Sequence, residues 1–222
     1  MIDTLNKIFT VIYSIYFNFK YLPFSTAKYL PIKINYKTRV KIDKTSRIVV
    51  KDYRRFSVKL GLQGTPFVSD NSSSTLTLNK GATMLFYGGC VIGQGQNIYV
   101  DNNAKIVIGN NVYINKNVLI QCTNLISISD DCLIGWNVRL RDTDGHRLIR
   151  NDIEIERKKS NIYLRKNVWL AADVIVLKGS VISEGSIVAT GSIVVGLKLE
   201  KGNCLIAGIP GRVKRTGITL EN

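Results

Sequence analysis

Six residues separate one aliphatic position from the next along much of this chain, and that spacing restricts its fold more than any other feature. Leu164, Leu170, Val176, Ile182, Val188 and Val194 occupy one phase, and four positions on come Val168, Val174, Ser180, Ser186 and Ser192. The same period runs earlier through Ile108, Ile114 and Ile120 and, after a two-residue slip at Ile126, through Ile128, Ile134 and Leu140. A period of six suits neither an α-helix nor a strand that alternates without pause. It suits a solenoid of short parallel strands in which three hexads make one triangular coil. Each aliphatic residue is then buried by the coils above and below it. Gly and Asn crowd the intervening positions (GNN at 109–111, NKN at 115–117, SEG at 183–185, ATG at 189–191), as tight corners with positive φ require.

The phase breaks conspicuously once. From Arg141 to Asn161 no hexad is present; the segment carries eleven charged residues, including the run IEIERKK, and the chain's single histidine, His146. A polar insertion in a regular solenoid protrudes as a loop, and such loops carry function. The expected organisation is an N-terminal helix and basic linker over 1–40, the solenoid over 41–200 with the loop 141–161 inserted, and a C-terminal tail over 201–222.

A chain of 222 residues buries a large core without staples. Cys90, Cys122, Cys132 and Cys204 show no CxxC spacing and, with one histidine available, make no local zinc set, so they read as buried thiols and no metal is expected. The N-terminus lacks the order of a cleavable signal, and no apolar run approaches the roughly 20 residues that span a bilayer. The expected location is the cytoplasm or the inner face of the cytoplasmic membrane. Asn71 begins an NSS triplet that, without a secretory signal, is a chance match.

The formal net charge of +15 is concentrated: Lys20 to Lys59 holds twelve Lys or Arg against Asp43 and Asp52. This stretch reads as a surface that meets something anionic. Just before it, Asp3, Lys7, Thr10, Ser14 and Asn18 recur at helical steps among Leu5, Ile8, Phe9, Ile12, Ile15, Tyr16 and Phe19, which predicts a helix with one narrow polar stripe. Such a helix either packs on the main domain or a neighbouring subunit, or lies at a membrane interface beside the basic stretch.

The hexads, the DTDGHRLI and IGWNV segments, the strand NVWLAADVIVLKGSVISEGSIVATGSIVV and the ending AGIPGRVKR together resemble the hexapeptide-repeat acyltransferases, closest to the sugar O-acetyltransferases of bacterial capsule and lipopolysaccharide biosynthesis. The resemblance covers roughly residues 75–215. It implies an all-β fold, a left-handed parallel β-helix solenoid with a short N-terminal α-helix and a protruding loop. It also implies a homotrimer with its active sites between subunits, acetyl-CoA as co-substrate and a saccharide acceptor.

Carried over residue by residue, the resemblance makes His146 the base that takes a proton from a sugar hydroxyl; imidazole suits this, its ordinary pKa of about 6.5 lying near working pH. The backbone N–H of Ala172 would meet the oxyanion, and Trp169 would face the same cleft. Asp142 or Asp144 would orient His146 or contact the acceptor, and Asn115 would also lie near the acceptor. Gly135, Ala172 and Thr190 would line the pantetheine. Pro210 would pack on adenine, with Arg212 and Arg215 at the 3′-phosphate, making 201–222 a CoA-contacting tail. Two departures stand out: Ala171 replaces the usual glycine, and VVGLKLEKG replaces a lysine-bearing segment, leaving Lys198 or Lys201 as substitutes.

Other classes fare worse. A zinc carbonic-anhydrase relative needs three histidines. A thiol nucleophile lacks a base partner, since the cysteines lie outside the histidine segment. Paired-carboxylate glycoside chemistry lacks an opposing acid. Nucleic-acid binding is suggested by charge alone, with no recognisable module. N-acetyl transfer to an amino sugar and a non-catalytic scaffold remain as alternatives to O-acetyl transfer.

Overall fold

Strand alternation turns one side chain inward and the next outward, so a strand of two to four residues contributes one or two residues to a core. The computed structural model describes residues 2–66, 73–146, 148–150, 153–155 and 160–220, and these short strands wind into a triangular parallel β-helix. The first face is a nine-stranded sheet that begins at Ile32–Ile34, the second a seven-stranded sheet from Arg39–Ile42 to Ile193–Val194, and the third a six-stranded sheet from Arg47–Val50 to Val181–Ile182. Neighbouring coils pair in parallel, with Ile114 beneath Ile134, Ile134 beneath Leu170, Leu170 beneath Val188 and Val188 beneath Ile206. Each of these side chains is fully buried.

The hexad positions are the inward ones: Leu164, Leu170, Val176, Ile182, Val188 and Val194 are fully buried, as are Val174, Ser180 and Ser186. The buried serines are satisfied, Ser180 Oγ donating to the Leu177 carbonyl at 2.7 Å and Ser186 Oγ accepting from the Cys204 N–H at 3.2 Å. The slip near Ile126 has a simple cause. Leu119–Cys122 and Leu125–Ile128 are four-residue strands that each point two residues inward, and adding two residues leaves the alternation intact. At the corners, Asn111, Asn117, Asn137, Asn167 and Asp173 hold positive φ, as do Gly185 and Gly191. Asparagine does more there than tolerate the conformation: Asn137 Nδ2 donates to Asp173 Oδ1 of the next coil at 3.0 Å, and Asn111 Nδ2 to Asp131 Oδ1 at 3.0 Å.

Two boundaries differ from the sequence expectation. The basic stretch is no linker: the coils start at Ile32, because Ile32, Ile34, Ile48 and Val50 point inward while Lys33, Arg39, Lys41 and Arg47 alternate outward. At the other end Cys204–Ala207 still pairs in parallel with Ile187–Val188, and Arg212–Thr216 folds back on it as an antiparallel strand.

The N-terminal helix, Ile2–Tyr21, covers the free edge of the first strand with its polar stripe. Asn18 Oδ1 accepts from the Ile32 N–H at 3.1 Å and its Nδ2 donates to the Ile32 carbonyl at 2.6 Å, as a further strand would. Ser14 Oγ accepts from the Ile34 N–H at 3.0 Å. An uncovered edge would leave these groups as a template for pairing with another chain. All four cysteines are buried thiols, and burial pushes the Cys132 thiol up to about 12 and raises those of Cys90 and Cys122 as well.

Val176 lies in the stack between Leu140 and Val194, so Val176→Asp is expected to abolish folding by burying an unpaired carboxylate. The check is soluble yield and circular dichroism; a folded, cooperatively melting variant would contradict the stacked core.

Candidate functional site

The loop leaves the solenoid at one corner and is tied down on both sides. It departs after Arg139–Arg141 on the second face and returns at Ile162–Leu164 on the third. Between them Leu148–Arg150 and Ile153–Ile155 form an antiparallel hairpin. Asp142 is 3% exposed, and its carboxylate reaches down to the preceding coil. It accepts from the Thr123 N–H at 2.6 Å, the Thr123 hydroxyl at 3.0 Å and the Asn124 N–H at 2.8 Å. Asp144 pairs with Lys178, at the corner of the coil above. Lys178 follows Ile175–Leu177, whose Leu177 pairs with Arg141, so it is where the next coil passes the loop root.

His146 is exposed, just beyond these two anchors. Among the described residues, neither carboxylate has the imidazole as a partner. Both oxygens of Asp142, expected to meet an acceptor or the base, accept from the corner at 122–124. Asp144 is held by Lys178 and remains half exposed. Part of the run IEIERKK, at 156–159, lies outside the described residues.

A second corner, between the first and second faces, collects the residues expected to meet the acyl donor. Gly135, Ala171 and Ala189 stack there, each N–H bonded to the next coil: Gly135 to Leu170 at 2.8 Å, Ala171 to Val188 at 2.9 Å and Ala189 to Ile206 at 2.8 Å. Just outside them run Trp136, Ala172, Thr190 and Gly208. A side chain at Gly135 would come within 2.7 Å of the Ala171 carbonyl carbon, so coil packing alone requires glycine there. The flanking N–H groups of Ala171 and Asp173 bond to the Val188 and Trp136 carbonyls, whereas the Ala172 N–H has no acceptor among the described residues. The methyl of Ala171 is accommodated nearly buried.

The C-terminal turn continues the same edge, since the Ile193 N–H bonds to the Gly208 carbonyl and the Gly211 N–H to the Ile193 carbonyl. Pro210 is exposed at this turn, and Arg212 and Arg215 are exposed on the strand that follows. Trp169 lies on the first face between Leu133 and Ile187, half-buried in a cleft with Leu133, Glu184, Asn203 and Leu220.

Asn115 belongs to this corner one coil below Gly135, but its Oδ1 accepts from the Thr65 N–H at 3.0 Å and the Lys116 N–H at 2.8 Å. It thus holds the segment 61–66, under which Lys116 is buried: a Cβ at Gly64 would lie 2.4 Å from Lys116 Cγ. Neither this contact nor the Asp144–Lys178 pair is visible in sequence, although aligning the hexads puts Lys178 beside the loop root. Gly135, Ala172, Thr190, Pro210 and Arg212 therefore share one edge of the prism. His146 and Asp144 occupy another, separated in the chain by the whole second face.

No family model matches the sequence, and no curated protein does. Solved structures do. The polySia-specific acetyltransferase NeuO is 22% identical with a TM-score of 0.55, over 84% of this chain and 89% of that one. A hexapeptide-repeat acetyltransferase from Vibrio cholerae O1 biovar eltor, complexed with acetyl coenzyme A, is 23% identical over 64% of this chain and 73% of its own, with a TM-score of 0.48. Galactoside acetyltransferase in complex with coenzyme A is 27% identical over 58% and 72%, with a TM-score of 0.46. The fold is the left-handed parallel β-helix of the hexapeptide-repeat acetyltransferases, and here it carries an N-terminal helix.

Removing the buried anchor by Asp142→Ala leaves three donors without their acceptor and is expected to lower the thermal midpoint by roughly 5–10 °C. Asp144→Ala breaks a half-exposed ion pair, so its effect is expected to stay within about 2 °C. Calorimetry on both variants checks this, and equal shifts would contradict the assignment of Asp142 to the corner.

Proposed function

We propose that this chain is an acetyl-CoA-dependent O-acetyltransferase that acetylates a sugar hydroxyl of a surface polysaccharide or its precursor, in the cytoplasm or at the inner face of the cytoplasmic membrane. The observation that carries the reading is the edge through Gly135, Ala172 and Thr190, with a backbone N–H that the coil ladder does not use and a basic strand at its end. A thioester lying along that edge puts its carbonyl oxygen against the Ala172 N–H, while its nucleotide end reaches Pro210, Arg212 and Arg215. Guanidinium groups suit the phosphates because they donate in pairs.

The acceptor hydroxyl then attacks the thioester carbonyl carbon as His146 takes its proton. The Ala172 N–H donates to the oxyanion of the tetrahedral intermediate, an interaction of a kind worth about 3 kcal/mol of barrier. Collapse of the intermediate breaks the C–S bond, and the imidazolium returns its proton to the departing thiolate. The acetyl ester and free CoA are the products.

Donor edge and base edge lie apart within one chain, so the reading requires a copy to complete the site. A homotrimer supplies it: a heterologous contact that closes on itself sets the loop of one copy against the donor edge of the next.

The test is acetyl transfer by the purified protein to a panel of neutral and acidic capsular oligosaccharides, read by mass spectrometry. His146→Ala is expected to lower kcat about 10²–10⁴-fold with the folded state intact. Arg212→Ala with Arg215→Ala is expected to raise the KM for acetyl-CoA about tenfold at similar kcat, the signature of lost ground-state binding. Unchanged turnover in His146→Ala would refute the base, and unchanged KM the donor edge.

A further inference from the structure

An amphipathic helix on a globular domain normally buries its apolar face, and this one does the reverse. Thr10, Ser14 and Asn18 are turned onto the first coil, with Ser14 and Asn18 at 0% exposure, and Phe17, Tyr13 and Tyr21 join them in packing against the core. Leu5, Ile8, Phe9, Ile12, Ile15, Tyr16 and Phe19 face solvent, Ile12 at 58%. At 3.6 residues per turn these seven fall within an arc of about 120°, a continuous apolar strip on a helix about 30 Å long. Phe24, 74% exposed, extends the strip past the helix end, where its ring lies 6.2 Å from that of Phe19.

The orientation is forced. The free edge of Ile32–Ile34 needs hydrogen-bond partners, which the polar stripe alone supplies, so the apolar strip must point away.

Charge lies at the same end of the solenoid. Lys28, just before the first coil, is exposed, as are Lys37, Lys41, Lys44, Lys51 and Arg55 on the coil whose edge the helix covers. Its two acids are engaged locally, Asp52 with Arg54 at 2.7 Å and Asp43 with the Thr45 N–H at 2.9 Å. Exposed Tyr29 and Tyr53 stack at 5.5 Å beside Lys28, whose ammonium lies over the Tyr29 ring. An apolar strip at the same end of the molecule as exposed cations and aromatics matches an anionic lipid surface, in which apolar side chains enter the acyl boundary and Lys and Arg meet the headgroups. A second copy offers poorer complementarity, because its own cations would be brought against those of the first.

We infer that the N-terminal end of the solenoid docks on an anionic lipid bilayer, with the strip from Leu5 to Phe24 laid in the interface and the cations of the first coil on the headgroups. The helix lies on the bilayer and does not cross it, since no helix among the described residues is long and apolar enough to span. The inference stands apart from the acetyl-transfer reading and needs no acyl donor to test.

The experiment is co-sedimentation of the full chain with phosphatidylcholine vesicles, with and without phosphatidylglycerol. Each cation near an anionic leaflet strengthens binding by roughly fivefold, so partition into the anionic vesicles is expected to exceed that into neutral ones by at least tenfold and to weaken in salt. Ile12→Ser with Phe19→Ser, which touches neither the edge hydrogen bonds nor the core, is expected to reduce partition at least about tenfold with an unchanged melting curve. Lys41→Glu with Lys44→Glu is expected to remove the preference for phosphatidylglycerol. Wild-type protein that stays in the supernatant at low salt overturns the inference, as does a double-serine variant that sediments like wild type. Ultracentrifugation without lipid adds a third arm. Dissociation of a wild-type assembly by the double-serine change would assign the strip to a second copy and overturn lipid docking.

Discussion

Every coil of this protein is buried only by the coils next to it. Ile134 has Ile114 below and Leu170 above, and none of the three has another way to leave water. A stack of this kind propagates without natural limit, so its two ends are the structural problem. The C-terminal end is closed by folding the strand Arg212–Thr216 back on the last parallel one. The N-terminal end is closed by a helix whose Ser14 and Asn18 answer the strand edge with side chains. Both closures have chemical consequences. One brings Arg212 and Arg215 to the end of the proposed donor edge, and the other presents seven large apolar residues outward.

The same stacking makes the corners into straight edges, which is how a regular fold comes to hold a site. Residues far apart in sequence, Gly135, Ala172 and Thr190, line up because each occupies the same corner of successive coils. Loops can leave at such corners without disturbing the stack. The loop containing His146 does so under two constraints, Asp142 drawn to the coil below and Asp144 to Lys178 of the coil above. A fixed root suits the base proposed for this loop, since the geometry of proton transfer tolerates little displacement.

Much of the architecture was legible because the repeat is a physical requirement. Val176 and Ile182 are aliphatic at six-residue spacing since each must fill the same place in the stack, and Asn117 and Gly191 mark corners since few residues hold positive φ. Three things were hidden for equally physical reasons. The first coil reads as a linker because outward Lys and Arg mask inward Ile32, Ile34 and Ile48 in a stretch too short to show a period. The helix pattern gave its two faces but not their directions, since a polar stripe facing a bare strand edge looks, in sequence, like one facing water. Asp142 and Asp144 are two residues apart in the same turn, and only the coil register shows that one is sealed against Thr123 while the other meets Lys178.

The proposed catalytic site is assembled from two copies, the base edge of one and the donor edge of another, and complementation between inactive variants reads that assembly. His146→Ala disables one edge, and Ala172→Trp fills the path along the other. If sites are shared, co-expressing the two inactive variants restores activity, up to about one quarter of wild type for random assembly in a closed ring. A mixture as silent as either variant alone would show that both edges act within one chain and would contradict the account.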